Sequence, residues 1–318
     1  LYSIPKPSTM NAEEGMVNSQ FTNCAGHLKN CYLVFGADGD EDCCYCHYTN
    51  DSKDCIDNLY CLNSESCYEC FDIKNCYNLF NSQSCVQCHD SQFLFDCRNC
   101  SDCLGCSGLR GKQYCILNVQ YSKDEYVKKK QSLDLQSRSD LRAFREAYCN
   151  QIFLQTPRKY YHGQNNQNST GDYVSNCENV NDSYYVTGSR NCKFSFWSNG
   201  MTDTYDMFGW GENELCYETV STGYKTYKTM FTHSSWTGIT ELEYCYLCFS
   251  SSNLFGCIGL RGRKFCILNK EYPEQEYHRI RLEIIKQMND MPYKDKVGVI
   301  YRYGEFFPIE LSPFAYNE

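Results

Sequence analysis

The chain has 318 residues, a formal net charge of −9, 25 cysteines and 28 tyrosines, but only 7 prolines. Its one basic run is the short Lys128-Lys129-Lys130, which argues against a general nucleic-acid binder, whose affinity rests on clustered cations. No apolar run approaches the roughly 20 residues needed to span a bilayer, and a chain of this length can bury a sizeable core without disulfides.

Residues 1–23 hold Pro5 and Pro7 and few periodic apolar positions, and read as an extended lead-in. A repeat array follows from about Cys24. Its anchors are Cys43, Cys55, Cys67, Cys76, Cys85, Cys97, Cys106 and Cys115, separated by 12, 12, 9, 9, 12, 9 and 9 residues. Short β-rich units at such spacings, parted by turn residues, point to a mainly β fold, a parallel β-solenoid in which stacked neighbours supply one another's core. Two units per coil would give 18 to 24 residues and three about 30. From Cys31 to Cys115 every cysteine except Cys44 is separated from the others by a multiple of three. Keeping phase in this way suits inward positions in a narrow core, because cysteine is small and behaves as a buried hydrophobe.

After Asn118 the pattern becomes helical. Ser122-Lys-Asp-Glu125 is a capping box, so a helix is expected over about 123–134. Leu141, Phe144, Ala147 and Tyr148 predict a second over 140–150. The array then returns from Asn191 with steps of 12, 12, 9, 9, 14, 9 and 9, the first pattern with a two-residue insertion. Gly105–Asn118 matches Gly256–Asn269 almost residue for residue, and Tyr121–Tyr126 pairs with Tyr272–Tyr277. The chain is therefore an internal duplication: residues 1–121 a first array, 122–155 a helical connector, 156–270 a second array, and 271–318 a helix to about Asn289 with an aromatic tail. The tail is expected to dock on the fold or on a partner. A start at Leu1 rather than Met and an abrupt end at Glu318 suggest that both ends are trimmed.

The sharpest chemical candidate is a metal site. Cys43/Cys46, Cys67/Cys70, Cys85/Cys88 and the run Cys97, Cys100, Cys103, Cys106 have the two-residue gap of zinc and iron–sulfur ligands. The duplicate argues the other way. Cys43, Cys67, Cys97, Cys106 and Cys115 match Cys192, Cys216, Cys248, Cys257 and Cys266. Yet Cys46 matches Ser195, Cys55 Thr204, Cys70 Thr219, Cys76 Lys225, Cys85 Ser234, Cys100 Ser251 and Cys103 Leu254. The second copy keeps the array while losing most partners of the pairs, so reduced core thiols are the plainer reading; metal ligands and disulfides stay open. Asp38–Asp42 carries alternating carboxylates but lacks the remainder of a calcium loop and reads as a solvated turn. Gly108–Lys112 and Gly259–Arg263 place cations at glycine turns, which serve as coil corners or cradle an anion. His27, His47, His89, His162, His233 and His278 have no ligand spacing. Asp54, Asp57, Asp96, Asp203 and Asp206 could line one outer face as in carbohydrate-active solenoids, or simply serve as turn residues.

The segments NCYLVFGADGDEDCCYC, SCYECFDIKNCYNLF, SQFLFDCRNCSDCLGCSGLRGKQYCILNVQYSKDEY and GEFFPIELSPFAYNE resemble an uncharacterised cysteine-rich family of candidate-phyla-radiation (Patescibacteria) bacteria. The resemblance covers nearly the whole chain. It implies a zinc-ribbon-like segment ahead of this sequence and further chain beyond it, and so a zinc connection. Some members carry a CoA-transferase label, for which this sequence shows no residues.

The expectation is a non-catalytic structural or protein-interaction scaffold, self-assembling or bound to a protein partner, with no cofactor. A zinc-binding or redox-active protein working through the first array is the alternative, and a carbohydrate-binding or carbohydrate-active solenoid a further one. Reduced thiols would favour the cytoplasm, disulfides the cell surface.

Overall fold

The computed structural model describes residues 11, 15–209, 211–306 and 308; most of the lead-in and the end of the aromatic tail lie outside these. The chain forms two units, residues 5–158 and residues 159–318. Both are mainly β, built from parallel strands.

The repeating element of the first unit is three residues long. Every third residue from Gly15 to Leu117 has a positive φ, near +50° for most. Each such residue is a corner. The next residue points inward, and the one after it pairs with neighbouring coils. Pairing runs in steps of 12: Val17 with Lys29, Lys29 with Glu41, Glu41 with Lys53 and Lys53 with Glu65. A coil is therefore four sides of three residues, and its length is 12, not the 18 to 30 that the anchor spacing suggested. The array also begins earlier than Cys24, at Val17.

This geometry explains the recurring dipeptides Asp-Cys, Asn-Cys and Ser-Cys. The first residue is the corner and the second faces the core. A left-handed residue costs an ordinary side chain about 1–2 kcal/mol, and Gly, Asn and Asp much less. Asn18, Asn30, Asp42 and Asp54 stand in one corner column. Their side chains also bond from coil to coil, Asn18 Nδ2 to Asn30 Oδ1 at 3.0 Å and Asn30 Nδ2 to Asp42 Oδ1 at 2.9 Å.

The second unit repeats the plan with 12-residue steps such as Arg190–Thr202–Glu214, then two of 13, Glu214–Tyr227 and Tyr227–Thr240. The two-residue insertion is thus two single residues in successive coils. Inward positions run Thr222 then Thr226, and Ser235 then Ile239. This corrects two matches: Cys76 corresponds to Thr226 rather than Lys225, and Cys85 to Ser235 rather than Ser234. Lys225 is a corner.

Each array ends the same way. Ile116 pairs antiparallel with Val119, and Ile267 with Lys270, turning the chain back over the last coil. Helices then cover part of the array. In the first unit α1 (Lys123–Ser132) starts at the Ser122/Glu125 capping box, and α2 (Arg138–Tyr148) runs into a wider turn, Cys149–Phe153. Tyr126, Phe144 and Tyr148 are buried against Phe93, Leu104 and Ile116. So residues 122–155 seal their own array. Gly105 is a corner at φ +64°, and a Cβ there would lie 2.7 Å from the Phe144 ring. In the second unit α3 (Glu274–Asp290) buries Tyr277 against Phe255 and Ile267, and Tyr303 and Phe306 of the tail join that cluster.

Candidate functional site

All ten candidate ligands, Cys43, Cys46, Cys67, Cys70, Cys85, Cys88, Cys97, Cys100, Cys103 and Cys106, point into the core of the first unit and are at most 2% exposed. Residues three apart stand on adjacent sides of one coil; residues twelve apart are stacked. Cys97, Cys100, Cys103 and Cys106 occupy all four sides of a single coil. Every cysteine of the chain is a free thiol; Cys24 is exposed, Cys44 and Cys149 are half-buried, and the others are buried.

The thiols have defined partners. Each of the ten candidate ligands donates to the carbonyl two residues back, and several also to one nine residues on. Cys43 Sγ lies 3.3 Å from Glu41 O and 3.5 Å from Ser52 O; Cys46 Sγ lies 3.2 Å from Cys44 O and 3.4 Å from Cys55 O. Ser52, also inward, does the same, Oγ donating to Asn50 O at 3.0 Å and to Cys61 O at 3.2 Å. Inward side chains also accept. The backbone N–H of residue i+12 reaches into the core: Cys103 N donates to Ser91 Oγ at 3.0 Å, Cys70 N to Asn58 Oδ1 at 2.8 Å, and Asn118 N to Cys106 Sγ at 3.4 Å. The core thus favours a small side chain that both donates and accepts, which describes Cys, Ser and Thr.

The two copies use this freedom. Cys55 bonds Lys53 O at 3.3 Å where Thr204 bonds Thr202 O at 3.0 Å. Cys85 bonds Gln83 O at 3.3 Å where Ser235 bonds His233 O at 3.3 Å. Cys100 bonds Arg98 O at 3.2 Å where Ser251 bonds Phe249 O at 2.8 Å.

Burial pushes the Cys76 thiol up to about 12 and that of Cys192 up to about 11, so neither supplies a thiolate near neutrality. Hydrogen bonding with Cys31, followed by contacts with Cys46 and Cys55 and by burial, raises Cys43. Contact with Cys55, then Cys70 and burial, raises Cys67. Seven thiols go the other way: hydrogen bonding with a neighbouring thiol lowers Cys31, Cys55, Cys70, Cys100, Cys106, Cys248 and Cys257. Cys55 is pulled down by Cys43, Cys61 and Cys67, and Cys100 by Cys103, Cys88 and Cys97. Among the described residues no group of three or more His, Cys, Asp or Glu is placed to hold a metal ion. A metal would also take the thiol protons now spent on core carbonyls. The residues present do not fit a zinc ion or a cluster.

The other candidates are dispersed. Asp54 and Asp203 occupy one corner position, Asp57 and Asp206 the next and Asp96 a third, all at positive φ, so they fall in three corner columns rather than lining one outer face together. Asp96 accepts from Arg110 at 2.9 Å. Gly108, Gly111, Gly259 and Gly262 are corners as well. Asp38–Asp42 is one side of a coil, not a solvated turn: Asp38 and Glu41 pair with neighbouring coils while Asp40 is buried. Ser52 N donates to Asp40 Oδ1 at 2.9 Å and Thr49 Oγ1 donates to Oδ2. Burial pushes the Asp40 carboxyl up to about 6. The histidines are scattered, with His27 bonded to Asp38, His89 to Asp90 and His162 to Asp172.

Two features were not anticipated. The outer faces differ in chemistry. One carries Lys29, Glu41, Lys53 and Glu65 in a column, with Lys29 and Glu41 paired at 2.5 Å. The next two are aromatic and aliphatic, with Tyr32, Ile56 and Tyr68 on one, Phe35, Leu59 and Phe71 on the other, and Phe21, Leu33 and Tyr45 at the corner between them. Tyr45 is 55% and Ile56 43% exposed. A twelve-residue recurrence of outward aromatics would have revealed this, once the coil length was known. The second feature is a cleft of about 290 Å³ beside α3 in the second unit, lined by Lys228, Glu241, Glu243, His278 and Arg281. Glu243 there is satisfied by Arg281, whose Nε lies 3.3 Å away, and by Tyr303 OH at 3.2 Å.

No family model matches the chain, and no curated protein matches it. Among solved structures, a Desulfovibrio desulfuricans G20 chain named provisionally as an acetyltransferase is 9% identical, covering 81% of this chain and 68% of its own length at a TM-score of 0.17. A likeness at that level carries no argument about fold or activity.

Proposed function

We propose that the protein is a non-catalytic interaction scaffold that offers its aromatic outer faces to a protein partner. The observation that supports this most is the division of chemistry between inside and outside. Most nucleophilic thiols are buried and hydrogen-bonded, whereas aromatic and aliphatic side chains recur along two adjacent outer faces, with Tyr32, Phe35, Ile56 and Tyr68 exposed. Contiguous exposed apolar surface on a folded chain marks an interaction site, and stacked coils hold such a surface rigid and regular. The second unit carries the same pattern, with Phe194, Phe196, Tyr205 and Tyr217 exposed.

A photo-crosslinking amino acid placed at Tyr45, and in a separate protein at Lys53, tests this in cells that make the protein. A discrete protein adduct from position 45 and none from position 53 is expected. Equal labelling from both faces, or hydrolysis of a glycan by the purified chain, overturns the proposal.

A further inference from the structure

The apolar side chains of these two faces recur from the early to the last coils of the first array, and among the described residues the cover lies over the last coils. There the chain's own helices do the covering. Phe93 and Phe95 continue the same columns, and Phe144, Tyr148 and Phe153 pack on them, with ring centroids 5.6 Å apart for Phe93–Phe144 and 5.2 Å for Phe95–Phe153. Tyr126 of α1 lies 5.7 Å from Tyr114. Lysines flank this cover. Lys129 Nζ stands 4.6 Å from the Tyr121 ring, and Lys130 is close enough to act on Asp90 of the adjoining corner column. In the early coils that same corner column presents Asp42 and Asp54, and the neighbouring one Asp57 and Glu69, around exposed Tyr32, Ile56 and Tyr68. The uncovered part is thus continuous with a helix-binding surface and carries the same acidic rim.

Resting on the scaffold reading, we infer that the exposed early coils bind an amphipathic helix of a partner protein, with aromatic and aliphatic side chains on one face and lysines or arginines beside it. The aromatic columns of Tyr32–Ile56–Tyr68 and Phe35–Leu59–Phe71 receive the apolar face. The carboxylates of Asp42, Asp54 and Asp57 receive the cations. Helix-in-groove recognition of this kind takes its affinity from the apolar anchors and its orientation from the rim charges.

The test uses the full chain and, as probe, a fluorescent synthetic peptide of residues 121–153, which carries Tyr126, Phe144 and Tyr148 with Lys128-Lys129-Lys130. Saturable binding is expected. Tyr32→Ser/Ile56→Ser/Tyr68→Ser should weaken it at least about tenfold, as loss of central apolar anchors does. Asp42→Asn/Asp54→Asn should weaken it about threefold and flatten its salt dependence. Lys29→Ser/Lys53→Ser on the charged face should leave it unchanged. All seven positions point outward, and an unchanged unfolding midpoint verifies folding of each variant; Ile56→Ser alone, expected to weaken binding about threefold, serves if the triple variant unfolds. Absence of saturable binding, or binding that survives the triple variant, overturns the inference. So does concentration-dependent dimerisation of the chain that the triple variant abolishes, because a second copy then owns the face. Crosslinking from position 45 to a protein, together with failure of the peptide, would reject the helix while leaving the scaffold reading intact.

Discussion

The two arrays share one frame and differ in what fills it. At Cys46, Cys55, Cys70, Cys85 and Cys100 of the first stand Ser195, Thr204, Thr219, Ser235 and Ser251 of the second. Four of these five hydroxyls donate to the carbonyl two residues back, as the thiols do. Thr219 is the exception, its Oγ1 being buried without a hydrogen-bond partner. The comparison teaches that a cysteine here is one of three side chains small enough for a narrow core and able to serve its inward N–H and C=O groups. Cysteine in the first array thus fills and hydrogen-bonds the core positions that a hydroxyl fills in the second. A thiol is bulkier and less polar than a hydroxyl, and it loses less on transfer from water.

The comparison can be broken most severely at an inward apolar position. Leu94 is 1% exposed, and its counterpart is Cys245. Leu94→Ala should cost about 3 kcal/mol in denaturant unfolding, whereas Leu94→Cys, the residue of the other copy, should cost clearly less.

Asp40 separates the arrays next, because Ser189 stands in its place in the second. Its carboxyl is raised to about 6 in the fold, so the folded state favours the proton. The neutral form's stabilisation is complete below the unfolded value near 4 and is lost as pH rises through about 6. Stability should therefore fall between pH 4 and pH 7 by at most about 3 kcal/mol from this group. Asp40→Asn should remove that dependence and stabilise the chain at pH 7.5, since Asn58 shows that an amide fits such a position, its Nδ2 donating to Cys67 O at 2.9 Å.

Smaller effects sharpen the thiol–hydroxyl equivalence. Cys55→Ala, which leaves a void and unserved backbone groups, should cost about 1–2 kcal/mol. Cys55→Thr, copying Thr204, should cost less than about 1 kcal/mol. The mildest probe is chemical: a thiol reagent on the native chain should label Cys24, Cys44 and Cys149, with the buried cysteines reacting only on unfolding.

Much of this frame was legible in the sequence, and the unread part has a physical reason. The threefold phase of the cysteines reports inward positions correctly, and the duplication and the capping box at Ser122 are written in the residues. The coil length is hidden because the four inward columns are chemically alike. A cysteine fits one side as well as the next, so anchors fall 9 or 12 residues apart and report multiples of three rather than the full turn. The paired insertion was misplaced for a related reason: Ser234 and Ser235 are both buried serines, and only the inward phase selects Ser235. Asp40 reads as a solvent-facing carboxylate because its neighbours Asp38 and Asp42 are outward. The aromatic faces went unnoticed because Tyr32, Ile56 and Tyr68 align only when the chain is wound at twelve residues per turn.

The most direct measurement grafts the second array's residues into the first, as Cys46→Ser, Cys55→Thr, Cys70→Thr and Cys100→Ser in one chain, and follows denaturant unfolding together with metal content. The expected result is a folded protein with an unchanged β spectrum, a loss below about 1 kcal/mol per substitution, and no stoichiometric metal in either protein. A parent chain that holds zinc or iron in whole-number amounts, and a graft that loses the metal and fails to fold, would contradict the account.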